Sequence, residues 1–239
     1  MTRPTFEEEV SLWNQGFEYV IGADEVGRGA FAGPVVAAAV IFPVNFHTVL
    51  AQDKSIRFLL RRLNDSKLVR PQMRQKLAAC IKTHCRLYAI GQSAVETINT
   101  VGVGKATTQA IHGAITALLM KLPRSAVAKT FVLIDGYKIA TCDPLHTTQW
   151  KGIIKGDRKC STIAAASIIA KVYRDALMDQ LHNQYPMYNF LQNKGYGTTF
   201  HRNCLREYGM SDVHRTSFDL NPYLSNSESE ISPLQNTEH

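Results

Sequence analysis

A chain of 239 residues, 45% hydrophobic and 20% charged, is ordinary for a soluble globular protein and long enough for one substantial core. Its 27 Lys+Arg against 20 Asp+Glu give a formal charge of +7, which favours polyanionic partners because a neutralised phosphate backbone releases condensed counterions; generic basicity is the plainer reading of the same number. The longest apolar run, Val35 to Phe42, is far too short for a membrane-spanning helix, which excludes that class.

In chain order, Met1 to Pro4 and the acidic Glu7-Glu8-Glu9 lack the apolar stretch and basic start of a signal peptide, so a cytoplasmic protein is expected. Tyr19-Val20-Ile21-Gly22-Ala23 reads as a strand running into Asp24-Glu25. After Gly27-Arg28-Gly29 and Gly33-Pro34, the run Val35 to Phe42 reads as a second, buried strand, antiparallel to the first across a glycine-rich turn. Residues 45–63 form a polar connection with a helical patch at Phe58-Leu59-Leu60, and Asn64-Asp65-Ser66-Lys67 a loop. Pro71 is suited to the first turn of a helix reaching about Lys82. Leu87 to Gly91 is a strand candidate, and Ile111, Ile115, Leu118 and Leu119 have helical spacing between Thr107 and Leu122. Phe131-Val132-Leu133-Ile134 is a compact strand ending at Asp135-Gly136, and Ile153-Ile154 is read as the start of one more before Lys155-Gly156-Asp157. The clearest helix runs from Ser161 to Leu181; from Pro186 the chain turns aromatic and basic, as a small helical appendage, and the polar stretch from Ser225 is expected to be disordered. Strands followed by alternating helices and strands predict an α/β domain with a mixed sheet.

The five cysteines, Cys80, Cys85, Cys142, Cys160 and Cys204, contain no CxxC pair and suggest reduced thiols, not a zinc site. The acids are more informative. Asp24, Glu25 and Asp135 stand at strand ends and Asp157 just before the long helix, and neighbouring strand ends of an α/β sheet open on a common crevice. Carboxylates gathered there repel one another unless cations lie between them, and an all-oxygen donor set suits Mg²⁺ or Mn²⁺. Two such ions can activate water and stabilise the leaving oxygen of a phosphodiester. Adjacent strand residues point to opposite faces, so Asp24 and Glu25 cannot present both side chains alike from a regular strand: either the strand breaks at Glu25, or Glu25 serves partly through its backbone carbonyl.

These residues carry a family resemblance. Asp24-Glu25-Val26-Gly27-Arg28-Gly29 with Ala32-Gly33-Pro34-Val35 resembles the opening signature of bacterial ribonuclease HII. The likeness continues through Asn64-Asp65-Ser66-Lys67, Leu133-Ile134-Asp135-Gly136, Lys155-Gly156-Asp157, Ala165 to Asp175, Lys194-Gly195-Tyr196-Gly197-Thr198 and His214 to Phe218, covering about residues 19 to 219 in the family's order. The resemblance implies a ribonuclease H-like α/β fold, a central mixed sheet flanked by helices with a small C-terminal helical appendage. It divides the chain into an N-terminal extension (1–17), a catalytic domain (18–183), a substrate-binding appendage (184–223) and a tail (224–239). It implies catalysis by Asp24, Glu25, Asp135 and Asp157, with Asp24, Glu25 and Asp135 holding Mn²⁺ or Mg²⁺. The expected reaction is hydrolysis 5′ of a ribonucleotide, in RNA·DNA hybrids and at single ribonucleotides embedded in duplex DNA, leaving a 3′-hydroxyl and a 5′-phosphate. Gly27-Arg28-Gly29 would lie along the minor groove and sense the 2′-hydroxyl by backbone, an approach that glycine permits, and Tyr196 would stack on the neighbouring deoxyribose. Lys67 and Lys171 are candidate phosphate contacts, a solvated lysine being the plainer alternative for each.

Some features depart from the family's pattern. Leu68 follows Lys67 where members often carry a second lysine, which weakens a paired phosphate clamp. Thr100 to Lys105 faintly resembles a nucleotide-binding loop, but Asn99 and Ala106 replace required residues, so no nucleotide cofactor is expected. Asp143 reads as a loop acid, His201 and His214 as hydrogen-bonded structural histidines, and Trp13 and Trp150 receive no role. A monomer is expected. The alternatives are a type 3 ribonuclease H, whose usual N-terminal platform has no counterpart in the fewer than twenty residues before the first strand, and a non-catalytic nucleic-acid-binding module on the same fold.

Overall fold

A computed structural model describes residues 3–49, 53–136 and 148–224. Cys142, Asp143 and the tail from Ser225 lie outside the described residues. The elements are helix α1 (Glu7–Asn14), strands β1 (Tyr19–Val26) and β2 (Val35–Ile41), helices α2 (Phe46–Val49), α3 (Lys54–Arg62) and α4 (Pro71–His84), strand β3 (Leu87–Ser93), helix α5 (Val95–Leu119), strands β4 (Thr130–Asp135) and β5 (Gln149–Ile153), and helices α6 (Ser161–Gln184), α7 (Phe190–Asn193) and α8 (Thr199–Tyr208). The five strands form one mixed sheet in the order β3-β2-β1-β4-β5. β1 is antiparallel to β2 and parallel to β4, β2 is antiparallel to β3, and β4 is parallel to β5. This is the α/β mixed sheet expected from the order of the elements.

β2 is buried at every residue because helices cover both faces of the sheet, and its unbroken apolar run is the signature of a doubly covered strand. On one face, Ile21, Ala23, Ala37, Ala39, Val132 and Ile134 pack against Ile111, Ile115 and Leu118 of α5. On the other, Val20, Val36, Val40 and Leu133 meet α6, with α1, α3 and α4 completing the layer. Gly22 brings α6 onto the sheet: a Cβ there would lie 2.5 Å from the Ile163 nitrogen and also overlap the Thr162 backbone. The small residues at the start of α6 permit the same close approach.

Three elements differ from the sequence reading. α5 starts at Val95, not Thr107, and crosses a kink at Gly102 (φ 80°); glycines at 102 and 104 break the apolar period, while buried Ile98 anchors the first turns. β5 ends at Ile153, where a strand was expected to begin, because Gln149 to Ile153 pair with Phe131 to Asp135; this edge strand is mostly exposed and lacks the apolar run that marks an interior strand. α1 has no counterpart in the sequence reading. Three glutamates in its first turn favour the helix N-terminus electrostatically, and Phe6, Leu12 and Trp13 bury against the α6 side of the core. Its fully buried Glu9 accepts from the Thr162 N–H (2.7 Å) and hydroxyl (2.8 Å), satisfying an otherwise open donor at the start of α6. Burial pushes the Glu9 carboxyl up to about 7, against the opposing pull of those bonds.

Candidate active site

Strand register builds the site. Ala23 of β1 pairs with Ile134 of β4, so the next residues of these parallel strands, Asp24 and Asp135, are neighbours at the two strand ends. Both follow residues that face α5, so by the alternation of a strand both point to the α6 side. Asp157 arrives from a different direction, in the single 3-10 turn Gly156–Arg158 between β5 and α6. Carboxylate oxygens of Asp24, Asp135 and Asp157 all lie within 4.8 Å of one another. Glu25 is not in this group. β1 continues regularly through it to Val26, so Glu25 points to the α5 side; of the two arrangements open from the sequence, the unbroken strand is the one observed.

All four carboxyls are held above their ordinary range. Burial is the largest cause at Asp24, followed by repulsion from Glu25, Asp135 and Asp157. Glu25 is raised by burial and by Asp135, and Asp135 by burial, with the Gly156 and Asp157 backbone N–H groups opposing it. Asp157 is pushed up to about 6 by burial and by its neighbours Asp135 and Asp65. The Gly156 N–H donates to Asp135 Oδ1 at 2.6 Å and the Glu25 N–H to Asp24 Oδ1 at 2.8 Å, so backbone groups orient both carboxylates. Among the side chains, Lys67 acts on Glu25, Asp135 and Asp157 and Arg28 acts on Glu25, both as opposing positive charges. Lys67 is exposed, on a 3-10 turn whose N-cap, buried Asp65, accepts from the Lys67 N–H (3.0 Å) and from Arg158 (3.0 Å).

Gly27, Arg28 and Gly29 form the turn between β1 and β2. Two arginines to which the sequence reading gave no site role hold it in place. Arg174 of α6, fully buried, donates to the carbonyls of Pro34 (2.9 Å), Ala32 (3.0 Å) and Lys194 (2.8 Å). Arg215, equally buried, donates to Gly33 O through Nε (3.0 Å) and Nη2 (2.8 Å), and to Arg28 O through Nη1 (2.9 Å). Burial is the main cause that lowers the pKa of both, and Arg174 lowers that of Arg215 further. The only sequence signal for either was its place inside a matched block. The turn is also stitched to the appendage, since Phe31 N–H donates to Gly195 O (2.8 Å) and Gly33 N–H to Val213 O (2.8 Å).

Tyr196 is thereby brought beside the glycine turn. Its half-buried ring lies 5.4 Å from the Arg174 guanidinium and 5.7 Å from the Lys171 ammonium. Lys171 is buried and paired with Asp175 (2.5 Å), which also takes Arg74 (3.4 Å), so its charge is compensated beneath Tyr196 and is not presented to solvent. His214 Nδ1 accepts from the Ser211 N–H (3.0 Å), which leaves its Nε2–H to donate to His201 Nε2 (3.1 Å), and His201 Nδ1–H to donate to the Tyr196 carbonyl (3.0 Å). Burial depresses both imidazoles, His214 to about 4, so the pair is neutral at pH 7 and structural in kind, positioning the backbone of Tyr196.

The ribonuclease HII family model matches residues 21–221. The ribonuclease HII of Chlamydia caviae is 42% identical over 219 residues, 91% of this chain and 91% of the relative. The solved ribonuclease H2 of Pyrococcus horikoshii superposes with a TM-score of 0.66 at 21% identity, covering 86% of this chain and 97% of that one. Bst-RNase HIII in complex with Mn²⁺ superposes at 0.61 and 18% identity, over 90% of this chain and 71% of that one. No described helix is long and apolar enough to cross a membrane. The chain therefore belongs to the ribonuclease HII family and is a metal-dependent ribonuclease H.

Proposed function

We propose that this protein hydrolyses the phosphodiester 5′ of a ribonucleotide, in RNA·DNA hybrids and at single ribonucleotides in duplex DNA, leaving a 3′-hydroxyl and a 5′-phosphate. It would act as a cytoplasmic monomer that starts ribonucleotide removal from DNA. The supporting observation is one juxtaposition: the Asp24, Asp135 and Asp157 carboxylates converge at the base of the Gly27–Gly29 turn, which buried Arg174 and Arg215 hold to the Tyr196 segment.

The carboxylates fit a divalent cation. Their oxygens lie within 4.8 Å of one another, near the roughly 4 Å that separates oxygens on opposite sides of a Mg²⁺ or Mn²⁺ ion, and their raised proton affinity comes first from burial and then from mutual repulsion, which a bound cation would offset. Asp24, Asp135 and Asp157 would hold the metal by side chain, and Glu25 from the opposite face by its backbone carbonyl. A pair of Mn²⁺ or Mg²⁺ ions bound there supplies an acidified water and charge stabilisation of the leaving oxygen; the neighbour that carries Mn²⁺ supports this assignment. The protein supplies orientation. Gly156 holds Asp135, the turn backbone reads the 2′-hydroxyl, Tyr196 stacks on the adjacent sugar, and residues 184–223 form the wall that carries it. Exposed Lys67 would meet a phosphate, whereas Lys171 would contribute through the Tyr196 ring.

An end-labelled DNA duplex with one ribonucleotide tests this reading. It is nicked on the 5′ side of the ribonucleotide with Mn²⁺ or Mg²⁺, and Asp135→Asn abolishes the nick at unchanged thermal stability. No nick with either metal overturns the reading; full activity in the variant removes Asp135 from the site.

A further inference from the structure

At the C-terminal end of α3 the surface forms a hollow of about 280 Å³ walled by Arg3, Arg61, Arg62 and Arg70, with Asn64 among its lining residues and no carboxylate. The four arginines come from three places in the chain. Arg61 and Arg62 close α3, Arg3 belongs to the N-terminal segment, and Arg70 is the N-cap of α4. Arg3 donates to the Arg61 carbonyl at 2.8 Å, which fixes the N-terminal segment over the helix end. The Arg62 guanidinium is held 4.4 Å above the Phe58 ring. Among the described residues, none of these four guanidiniums has a carboxylate partner.

A plainer account covers three of the four arginines. Cations in the last turn of a helix are favoured by its dipole, which explains Arg61 and Arg62. It fails for Arg70, whose positive charge sits at the N-terminal end of α4, where the dipole disfavours it and no acid in the first turn compensates. Arg3 lies on no helix itself, but its bond to the Arg61 carbonyl brings it under the same account at the C-terminus of α3. The like charges repel one another, so an anionic ligand would account for their convergence.

The surroundings indicate which anion. Asn64 leads into the Asp65-Ser66-Lys67 turn, its side-chain oxygen accepting from the Asp65 N–H at 2.9 Å. Lys67 acts on Asp135 and Asp157, and Arg158, beside Asp157, reaches back to Asp65. Segment 64–70 thus serves both: Asn64, Leu68 and Arg70 line the hollow, while Asp65 and Lys67 between them act on the carboxylate cluster. Guanidiniums bind phosphate oxygens in a bidentate manner, so a nucleic-acid backbone is the anion that this neighbourhood favours.

We propose that this hollow is a second phosphate-binding site, taking the backbone of the substrate duplex beyond the scissile bond. The proposal rests on the reading that a ribonucleotide-containing duplex is the substrate. The test compares wild type with the triple variant Arg61→Ala/Arg62→Ala/Arg70→Ala on a long duplex with one ribonucleotide, across a series of salt concentrations. A second triple, Lys82→Ala/Lys121→Ala/Arg124→Ala, removes equal charge elsewhere; Lys82 lies 5.6 Å from the Tyr88 ring and Lys121 bonds the Tyr88 carbonyl, at the outer edge of the sheet. The arginine triple is expected to raise KM about tenfold at unchanged kcat, and to flatten the slope of log kcat/KM against log salt by about 2–3. The lysine-containing control retains the wild-type KM and slope. Unchanged KM and slope in the arginine triple, or equal changes in both triples, overturn the proposal. If wild type fails to nick the duplex, the functional reading falls by itself, and the same salt slope measured by equilibrium binding of an RNA·DNA hybrid then decides the hollow.

Discussion

Two glycines of the recognition turn separate protein stability from substrate contact. Gly27 has φ +90°, and a Cβ there would lie 2.7 Å from Arg174 Cδ and 2.8 Å from Cζ, overlapping Nε as well. In Gly27→Ala the backbone strain is worth about 1–3 kcal/mol. The displaced guanidinium also loses at least one of its bonds to Pro34, Ala32 and Lys194, each charge-assisted and worth about 1.5–3 kcal/mol. A total of about 3–5 kcal/mol follows, or a Tm lowered by roughly 6–20 °C for a chain of this size. Gly29 has no positive φ and nothing within 4 Å of an added Cβ, so Gly29→Ala leaves Tm within about 2 °C. If its backbone meets the sugar, that same methyl lowers cleavage at a lone ribonucleotide. Differential scanning calorimetry and the nicking assay read the two effects separately. A Gly27→Ala protein as stable as wild type would refute the wedging of Arg174 beneath the turn, and full activity in Gly29→Ala would refute the backbone contact.

Glu9 gives a pH signature. Its folded pKa of about 7 lies above the ordinary 4.5, so the folded state keeps a proton that the unfolded chain loses between those values, and stability declines as pH rises through that window, by up to about 3 kcal/mol. Glu9→Gln keeps an acceptor for Thr162 without ionising, so its Tm should fall less than that of wild type between pH 5 and pH 8; parallel profiles would remove Glu9 as the cause. Tyr196→Ala loses a stack worth about 1–3 kcal/mol and should slow cleavage at a lone ribonucleotide roughly 10- to 100-fold, with a smaller effect on a continuous hybrid. Equal losses on both substrates would exclude a role confined to the junction.

Much of this architecture was legible in the chain. The doubly covered β2, the Pro71 start of α4 and the long α6 each carry their own local signal, in apolar runs, caps and small residues. So do the acids at the strand ends and the glycines after them, which is why the chemistry of the site could be read before its geometry. β5 escaped because an edge strand needs no apolar run, and α1 because three glutamates obscured its buried face. The partners of the acids are non-local. Strand parity turns Asp24 and Glu25 to opposite faces of the sheet, and the β1–β4 register seats Asp135 beside Asp24. The connection from the polar edge strand then delivers Asp157 to both. Arg174 and Arg215 likewise carry no local sign of their role, because the backbone carbonyls that surround them come largely from distant segments. The sequence by itself determined the acid-rich, glycine-flanked Asp24 to Gly29 segment and the metal chemistry open to it, because those properties reside in neighbouring residues. Only the tertiary structure decided which three carboxylates meet and what holds the turn above them, because both depend on strand register and on contacts between residues more than a hundred positions apart.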